Sequence, residues 1–521
     1  MPAHQIAFTA PHWAATEAGM AILRQGGTAT EAMVAAAAVI SVVYPHMNSI
    51  GGDGFWLIHN PFTDSPIAID ACGRSASDVT QYSQMGALPG RGGKACLTQA
   101  ATIAGWQLAL EQDENASLPL ATLLASAIEY ARNGIKVTVS MSRAISKVMA
   151  EDNVPETFVR TYSLEDQPLA AGTRFRNPDL AATFETLADN GLSDFYQGEI
   201  GQKIKTCLQA AGSPLSAQDH QSTLAELVEP LKLRLQDVTC FNLPAPTQGV
   251  HSLQILGLID RLRHEASTES DWAHLVIEAT KQSFSDRQRI LADPALVPKD
   301  YHRALDNDVL NHKAAAIDLQ QARPWPFQGE SGDTIWMAAR DSRGQLVSFI
   351  QSIYWEFGSA ILVDDCGFVW NTRGVSFSLD PADINCLAPS KKPRHTLNPA
   401  LALFDDGSRL SYGTMGGEGQ PQTQAALFSR FVWQGYPLDR AIADGRWLLG
   451  RTWGDANDDL KVEADIAGRI GPELTRRNHQ WQTVPAASEM MGHAGAIHDQ
   501  QATLTAATDP RSDGRAMVES I

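Results

Sequence analysis

The stretch that ends at Thr334 constrains this chain more than any other. Residues 321–332 are rich in proline and glycine, and the apolar run 335–339 begins directly after Thr334. A polar turn at 340–344 then leads into a second apolar run, 346–354. Two apolar runs joined by a short polar turn predict a β-hairpin. The sequence therefore predicts an accessible linker that leads to Thr334, where the hairpin begins.

The segments after Thr334 carry a family pattern. Thr334, Gly344, residues 357–359, residues 371–373 and the pair 416–417 follow one another in an order that resembles the γ-glutamyltranspeptidase family. The family's catalytic segment aligns with residues 334–377 without a gap. In that family the precursor cuts itself before a threonine, which becomes the N-terminal nucleophile. The resemblance implies cleavage between Asp333 and Thr334.

The two halves differ in their predicted structure. Residues 14–23, 32–43, 118–131 and 273–290 show helical spacing, and Thr28 with Glu31 forms a capping box. Residues 51–54 predict a tight turn before a strand at 55–58, and 67–70 predicts another strand. Otherwise the region from 99 to 311 is predicted to be mainly helical. Short strands are predicted after Thr334 at 335–339, 346–352, 368–370, 401–404, 410–413, 495–498 and 502–506, with helices at 423–434 and 438–444.

This pattern predicts an α+β protein. The resemblance implies the N-terminal-nucleophile hydrolase fold, an αββα sandwich in which two stacked sheets lie between helix layers. Self-cleavage would give a large, mainly helical fragment, 1–333, and a small fragment, 334–521, and both would form one αββα unit. In proportion to residue count, the fragments have masses of roughly 36 and 20 kDa.

An N-terminal threonine carries its own base. A free α-amino group has a pKa of about 8, so it is partly unprotonated near neutral pH and can take the hydroxyl proton. Centring the turn at 342–343 places Thr334 opposite Gln351 or Ser352. The resemblance selects Ser352, whose hydroxyl would bind the amine, and it implies that the backbone N–H groups of Gly416 and Gly417 form the oxyanion hole.

The substrate pocket departs from the transpeptidase pattern. The acidic residue that binds the α-amino group of glutamate aligns with Ser376, and the neighbouring glutamine aligns with Arg373. The paired serines align with His395 and Thr396, which follow Arg394. The usual asparagine is Tyr354. The pocket has lost a partner for an ammonium group and gained cationic or donor groups, which favours a small anionic amide without an amino group.

These departures resemble the transpeptidase-like branch that includes bacterial oxamate amidohydrolase. The resemblance implies hydrolysis of oxamate to oxalate and ammonia in purine (urate and allantoin) nitrogen catabolism, with Arg373, Tyr354, His395, Thr396 and Arg74 binding the substrate. Arg373 could clamp a carboxylate with two hydrogen bonds. In the transpeptidases, an arginine in the segment that aligns with residues 72–74 holds the α-carboxylate of the substrate. Here Cys72 occupies the position of that arginine, and Arg74 follows two residues later. The choice between Arg74 and Arg373 stays open.

Three other functions fit parts of the sequence. Two belong to the same class: a γ-glutamyl hydrolase or transferase, and an acylase for dicarboxylic side chains such as glutaryl groups. The third is an unprocessed, non-catalytic protein that binds a small anion. We find no Ser-His-Asp arrangement with a G-x-S-x-G motif and no His-Glu-x-x-His motif. No cofactor and no metal are therefore expected.

Composition limits the partners. A net charge of −18 argues against binding to nucleic acid or to anionic membranes. The six cysteines show no C-x-x-C spacing, which is typical of reduced thiols in a cytoplasmic protein. We see no basic region followed by an apolar run at the N-terminus, and the longest apolar stretch, 32–44, is too short to span a bilayer. The expected partners are a small substrate and the two fragments, and a homo-oligomer of the cleaved pair stays open.

Overall fold

The structure is a computed structural model that describes residues 5–221, 224–325, 332–450, 458–500 and 503–521. The helices of these residues are α1 Trp13–Arg24, α2 Ala29–Val43, α3 Thr102–Glu111, α4 Leu120–Asn133, α5 Val139–Met149, α6 Glu156–Tyr162, α7 Pro178–Asn190, α8 Asp194–Gln197, α9 Glu199–Ala210, α10 Gly249–Leu262, α11 Glu269–Phe284, α12 Arg287–Ile290, α13 Asn307–Ala315, α14 Gly419–Phe428, α15 Leu438–Ala443 and α16 Ala464–Arg476.

The strands of the same residues are β1 Gln5–Ala10, β2 Asp53–His59, β3 Ile67–Ala71, β4 Ile135–Lys136, β5 Ser163–Leu164, β6 Gln167–Pro168, β7 Arg174–Phe175, β8 Glu226–Val228, β9 Leu231–Arg234, β10 Val238–Asn242, β11 Asp333–Arg340, β12 Leu346–Tyr354, β13 Ala400–Phe404, β14 Arg409–Gly413, β15 Trp447–Leu449, β16 Leu460–Glu463, β17 Trp481–Val484, β18 Gly495–Gln500, β19 Thr503–Thr508 and β20 Arg515–Ser520.

Two large antiparallel sheets form the centre of the molecule. The first has the strand order β20-β1-β11-β12-β2-β3-β8, and the second has the order β19-β18-β14-β13-β10-β9. Both sheets combine strands from before and after Thr334. The predicted hairpin forms β11 and β12, which lie in the middle of the first sheet. The candidate nucleophile is therefore carried by a central strand rather than by an edge strand.

The buried clusters show how the layers stack. Along β11, Ile335 and Met337 pack with the helices α1, α2, α4 and α7, whereas Trp336 and Ala338 pack against the second sheet. This alternation is the side-chain period of a strand that is buried on both faces. On the outer face of the second sheet, α10, α11, α14 and α16 form another core. The predicted α+β, αββα sandwich is confirmed.

Helix α2 illustrates why the local sequence adopts this structure. The Thr28 hydroxyl accepts from the backbone N–H of Glu31, and the Glu31 carboxylate accepts from the backbone N–H of Thr28. This capping box was predicted from the sequence, and it satisfies two N–H groups at the helix start. Every residue of α2 is buried, as its uniformly apolar sequence predicts. No helix of the described residues combines the length and the apolar character that a membrane crossing requires.

The structure corrects several sequence-based expectations. The region from 99 to 311 also contains strands, most notably β8, β9 and β10, which extend both sheets. Residues 368–370 form only isolated bridges, because Val369 pairs with Leu362 and Trp370 pairs with Gly51. The predicted strand 502–506 is observed as β19, and its first residue lies outside the described residues. Half of the predicted processing linker, residues 326–331, also lies outside them.

Candidate active site

Thr334 occupies a β-bulge. The pairing of β11 with β12 shifts by one residue between Asp333 and Ile335. One residue on β11 consequently lies across from two on β12. Thr334 is that residue, and Ser352 and Ile353 are the two. The structure thus brings the predicted nucleophile beside the hydroxyl that the resemblance selected.

The Thr334 hydroxyl is buried without a hydrogen bond. The residue is 1% exposed, and its Oγ1 has no hydrogen-bond partner among the described residues. Leaving such a group unpaired costs about 1–3 kcal/mol, so folded proteins rarely keep one without a role. The Ser352 hydroxyl accepts from the backbone N–H of Tyr354 at 2.8 Å. A bond from the amine of a cleaved Thr334 to Ser352 stays a prediction.

Gly416 and Gly417 form a glycine pair, and Gly417 lies directly against Gly332, two residues before Thr334. Their φ values are +112° and +53°, in the region that favours glycine. A β-carbon on Gly417 would lie 3.0 Å from the backbone nitrogen of Gly332 and 3.2 Å from its oxygen. The glycine pair precedes the N-terminus of α14, where unpaired N–H groups and the helix dipole favour negative charge. This position suits an oxyanion that develops at the cleaved carbonyl.

Gln248 connects the two halves of the chain at this point. Its Nε2 donates to the backbone oxygen of Gly417 at 2.8 Å and to that of Thr396 at 2.7 Å. Gln248 is fully buried in the segment between β10 and α10. Because it belongs to the part before Thr334, the first half of the chain holds the glycine loop of the second half in place. The Thr396 hydroxyl, like that of Thr334, is buried without a partner among the described residues.

Arg373 lies over the ring of Tyr354. Its guanidinium carbon is 4.1 Å from the ring centroid, and the residue is 1% exposed. Tyr354 has φ +81°, a strained value for a residue with a side chain. The backbone of Tyr354 pairs with Asp333, and a β-carbon on Gly332 would lie 3.2 Å from the tyrosine ring. The tyrosine therefore places a buried cation next to the peptide that precedes Thr334.

Asp53 and His395 complete this buried cluster. Asp53 Oδ2 is 3.8 Å from Arg373 Nε and 3.1 Å from His395 Nε2. Asp53 Oδ1 accepts from the backbone N–H of Gly73 at 2.8 Å. The backbone N–H of Leu397 donates to His395 Nδ1. His395 Nδ1 is consequently the acceptor, and Nε2 carries the proton that is donated to Asp53.

Burial controls the ionisation of this cluster. It raises the pKa of the Asp53 carboxyl to about 7, although Arg373 and the N–H of Gly73 oppose the rise. Burial and the positive charge of Arg373 lower the pKa of His395 well below its ordinary value. His395 is therefore neutral at neutral pH, whereas Asp53 titrates there.

Three other residues singled out from the sequence, Arg74, Ser376 and Arg394, bind groups other than Asp53 and His395. Arg74 forms ion pairs with Glu226 at 3.2 Å and with Asp293 at 3.6 Å, and its side chain is one-third exposed. The Ser376 hydroxyl donates to the backbone oxygen of Arg373 at 2.9 Å. Nη2 of Arg394 lies 3.5 Å from Oδ2 of Asp383. Of the two arginines left open by the sequence, Arg373 is the one that the structure places beside Tyr354.

Asp53 and Gln248 contact the candidate site, and neither residue was predicted from the sequence to do so. Residues 51–54 were interpreted as a tight turn, but neither Gly51 nor Gly52 has a positive φ, and Asp53 is the first residue of β2. A β-carbon on Gly52 would lie 2.2 Å from the backbone oxygen of Ser352. This glycine is needed for close packing of the backbone rather than for a turn. The only sequence signal for Asp53 was an acidic residue within a glycine run.

Two buried clusters in the described residues contain potential metal ligands. Asp53, Cys72 and His395 each present one ligand-type atom, and these atoms lie within 4.8 Å of one another. Both Asp53 oxygens already accept hydrogen bonds, and burial raises the pKa of the Cys72 thiol well above its ordinary value, which disfavours the thiolate. We assign hydrogen-bonding rather than metal-binding roles to these residues.

The second cluster consists of His274, Glu278 and His479. His274 Nδ1 and His479 Nε2 are 2.7 Å apart, which is a hydrogen-bond distance. The Lys281 ammonium group donates to Glu278 at 2.8 Å. A cation already neutralises the carboxylate, so this cluster is a hydrogen-bonded network.

The sequence of this chain matches known proteins over almost its full length. The sequence profile of the γ-glutamyltranspeptidase family matches residues 15–519. An oxamate amidohydrolase proenzyme of Klebsiella pneumoniae is 46% identical over 513 residues, 97% of either chain. A glutathione hydrolase-like proenzyme of Bacillus subtilis is 34% identical, again over 97% of either chain. Both relatives exceed the similarity at which membership of one family is secure.

The fold leads to the same assignment. A crystal structure of cephalosporin acylase from Bacillus halodurans superposes with a TM-score of 0.89 at 27% identity, over 99% of this chain and 96% of that chain. The predicted family and the predicted hydrolysis of amide bonds are thereby confirmed. The bulged threonine, the glycine pair and this near-complete alignment lead to one conclusion: the chain is an amide-bond hydrolase of the γ-glutamyltranspeptidase family.

Proposed function

We propose that this chain is a self-processing N-terminal-threonine amidohydrolase that converts oxamate to oxalate and ammonia. The observation that carries the proposal is the placement of three features around one backbone segment. The Thr334 hydroxyl, which has no partner among the described residues, the Gly416-Gly417 loop and the buried Arg373 all lie near the peptide that ends at Asp333. The 46% identity to a protein named oxamate amidohydrolase proenzyme supports the same substrate.

Self-cleavage would use the groups already in contact. The Thr334 oxygen attacks the carbonyl carbon of Asp333, and the backbone N–H groups of Gly416 and Gly417 stabilise the oxyanion. The peptide nitrogen takes up the hydroxyl proton and leaves as the new amino group of Thr334, and an ester links the two halves. Water then hydrolyses this ester, which gives a carboxylate on Asp333 and restores the hydroxyl.

Turnover would repeat this chemistry on a free amide. The unprotonated amine of Thr334 accepts the hydroxyl proton, and the oxygen attacks the oxamate amide carbon. The same glycine N–H groups stabilise the oxyanion, and ammonia leaves with the transferred proton. Water hydrolyses the oxalyl ester to oxalate and regenerates Thr334. The Thr334 oxygen and the N–H groups of Gly416 and Gly417 keep the same role in both reactions, so a change at Thr334 should affect both.

The charge around Arg373 supports an anionic substrate. In oxamate the carboxylate is bonded directly to the amide carbon, so its cation has to lie close to the nucleophile. Arg373 lies on Tyr354, which pairs with the residue preceding Thr334. Ser376, at the position of the family's acidic residue, directs its hydroxyl to backbone oxygens of the pocket wall. The pocket thus offers a cation for the substrate carboxylate and no carboxylate at Ser376 for a substrate ammonium group.

The finer biological assignments are part of the same proposal. From the resemblance we propose a cytoplasmic enzyme in purine nitrogen catabolism, and a homo-oligomer of the cleaved pair stays open. Disrupting the gene should abolish growth on oxamate as the sole nitrogen source. Normal growth of the disrupted strain would contradict this role.

A substrate panel tests the chemistry. Ammonia release from oxamate should exceed cleavage of a γ-glutamyl anilide and of a glutaryl amide by processed enzyme. Faster cleavage of either alternative would replace oxamate with that class of substrate. A single uncut band on a denaturing gel, together with no activity on any of the three, would favour a protein that only binds small anions.

A further inference from the structure

Asp53 is a buried counterion of Arg373. Asp53, Arg373 and His395 are all 1% exposed or less, and Asp53 lies on β2, whose backbone pairs with Ser352 of β12. The closest approach of Asp53 to the arginine is to Nε, at 3.8 Å. The titratable and charged groups that face Asp53 from the surrounding elements are Asp70, Cys72, Tyr196, Arg373, Lys392 and His395.

The charges of these neighbours largely cancel. Lys392 and Asp70 form their own ion pair at 2.7 Å. Burial raises the pKa values of the Cys72 thiol and the Tyr196 phenol, so both are neutral at neutral pH. His395 is neutral as well. Among the described residues, Asp53 is therefore the titrating carboxylate that lies next to the Arg373 cation before substrate binds.

We propose that Asp53 is a positioning residue that balances Arg373 before substrate binds and takes up a proton when the substrate carboxylate arrives. This inference rests on the proposed function, because it requires an anionic group at Arg373. The substrate carboxylate replaces Asp53 as the partner of the guanidinium, and the proton comes from solvent. The protonated Asp53 keeps its contact with His395, so the pocket stays electrically balanced before and after binding.

The physical reason is the cost of two buried carboxylates beside one cation. Like charges in one buried site raise the pKa of the group that can be protonated. Asp53 begins with a pKa of about 7 before substrate binds, so a small further rise protonates it near neutral pH. Below pH 7 it is already protonated, and binding takes up no proton there. Above pH 7 binding takes up a proton, so the affinity for the anion falls as the pH rises.

This sign gives a specific pH profile. The dissociation constant of the product oxalate should be flat below about pH 7 and should rise toward tenfold per pH unit above it. In Asp53→Asn the neutral amide mimics the protonated acid. Binding of oxalate by this variant should lose most of the rise and should be tighter than that of the wild type at pH 8.

Calorimetry of the processed wild-type enzyme with oxalate measures the proton directly. Titrations in buffers of different ionisation enthalpy report the number of protons taken up. The Thr334 amine can contribute as well, because a nearby anion raises its pKa. The contribution of Asp53 is therefore the difference between wild type and Asp53→Asn. We expect a difference of up to one proton per oxalate at pH 8 and almost none at pH 6.

Asp341→Asn is the matched control. Asp341 is also a buried aspartate with a pKa raised by burial, but it lies in the turn at the far end of the β11–β12 hairpin. Its variant should keep the proton uptake of the wild type. Equal uptake in wild type and Asp53→Asn, with both cleaved and both binding oxalate, would overturn the inference.

Two further outcomes decide the remaining cases. If Asp53→Asn does not process itself, the wild type alone provides the test. The wild type should then take up more protons on binding oxalate at pH 8 than at pH 6. Equal or smaller uptake at pH 8 would refute the inference. If the wild type neither hydrolyses oxamate nor binds oxalate, the proposed substrate is wrong and the proton inference is overturned with it. A failure of the proton inference alone would leave oxamate hydrolysis intact, so the two failures are distinguishable.

Discussion

Individual residues provide the most direct explanation of the chemistry. Thr334 lies in a buried bulge with a hydroxyl that no described residue binds, and Gly417 packs on Gly332 at a distance that leaves no room for a side chain. Arg373 is held on the ring of Tyr354 by stacking and by the negative charge of Asp53. In the proposed mechanism these groups supply the nucleophile, the oxyanion site and the carboxylate clamp, and they are in place before any substrate arrives.

Substitution of Thr334 should remove both reactions at once. Thr334→Ala should remain a single uncut chain without amidohydrolase activity, because the same oxygen performs both attacks. Thr334→Ser keeps the oxygen and should cut itself and retain part of the turnover. A denaturing gel and an ammonia assay measure the two effects. Oxamate hydrolysis by Thr334→Ala would place the nucleophile at another residue.

Substitution of Arg373 should separate the two reactions. Arg373→Gln should reduce kcat/KM for oxamate about tenfold to more than a hundredfold, because a charge-assisted bond to a buried anion contributes about 1.5–3 kcal/mol. Self-cleavage should continue, since it needs no carboxylate site for a free ligand. Arg74→Gln is the comparison, because Arg74 pairs with Glu226 and Asp293 and should affect oxamate kinetics little. The reverse result would assign the carboxylate to Arg74.

At the scale of elements, the proposed oxyanion hole depends on the loop between β14 and α14. This loop places Gly416 and Gly417, both with positive φ, at a helix N-terminus, and Gly417 lies against Gly332. Gln248 holds this loop from the other half of the chain through the backbone oxygen of Gly417. The loop therefore depends on contacts between the two future fragments, and its geometry is set before cleavage.

An alanine at Gly417 should slow self-cleavage and lower kcat about tenfold or more. Its β-carbon would lie 3.0 Å from Gly332, and the φ of +53° costs about 1–2 kcal/mol for a residue with a side chain. Gly435→Ala is a matched control, because Gly435 has φ +70° and a β-carbon added there would meet no atom within 4 Å. Gly417→Ala should therefore cleave itself more slowly than Gly435→Ala and should have a lower kcat for oxamate. Equal behaviour would show that the strain, and not the contact with Gly332, decides the effect.

The elements also show what the sequence could predict. The hairpin, the α2 capping box and most strands after Thr334 follow from local patterns of apolar and turn residues. Strand β9 was missed although Leu231 and Leu233 alternate with exposed residues, because the run is only four residues long. The contact of Asp53 with His395 joins residues 342 positions apart, and no local pattern predicts such a contact. Local chemistry was therefore predictable, and the long-range partners of Arg373 were not.

At the scale of the whole molecule, the two fragments are interleaved. Strand β1 precedes Thr334 in the chain. It lies between β20, which follows Thr334, and β11, which contains Thr334. In the second sheet, β10 pairs with β13 across the same division. The apolar cluster between the sheets also draws residues from both halves, including Phe55 and Trp336. Cleavage should therefore change the covalent chain without separating the fold.

The cleaved fragments should remain together under native conditions. Size-exclusion chromatography should give one species that contains both fragments, and only denaturant should separate them, because the shared sheets would have to unfold first. A denaturing gel of the eluted peak measures this directly. Elution of the fragments as separate native species would contradict the interleaved arrangement.

The central claim is that the chain cuts itself before Thr334 and that this threonine then acts as the nucleophile. N-terminal sequencing of the small fragment, combined with its oxamate activity, tests it most directly. We predict that the fragment begins Thr-Ile-Trp and that activity increases with the cleaved fraction. A small fragment that begins at any other residue, or an uncut chain that hydrolyses oxamate at the full rate, would contradict the claim.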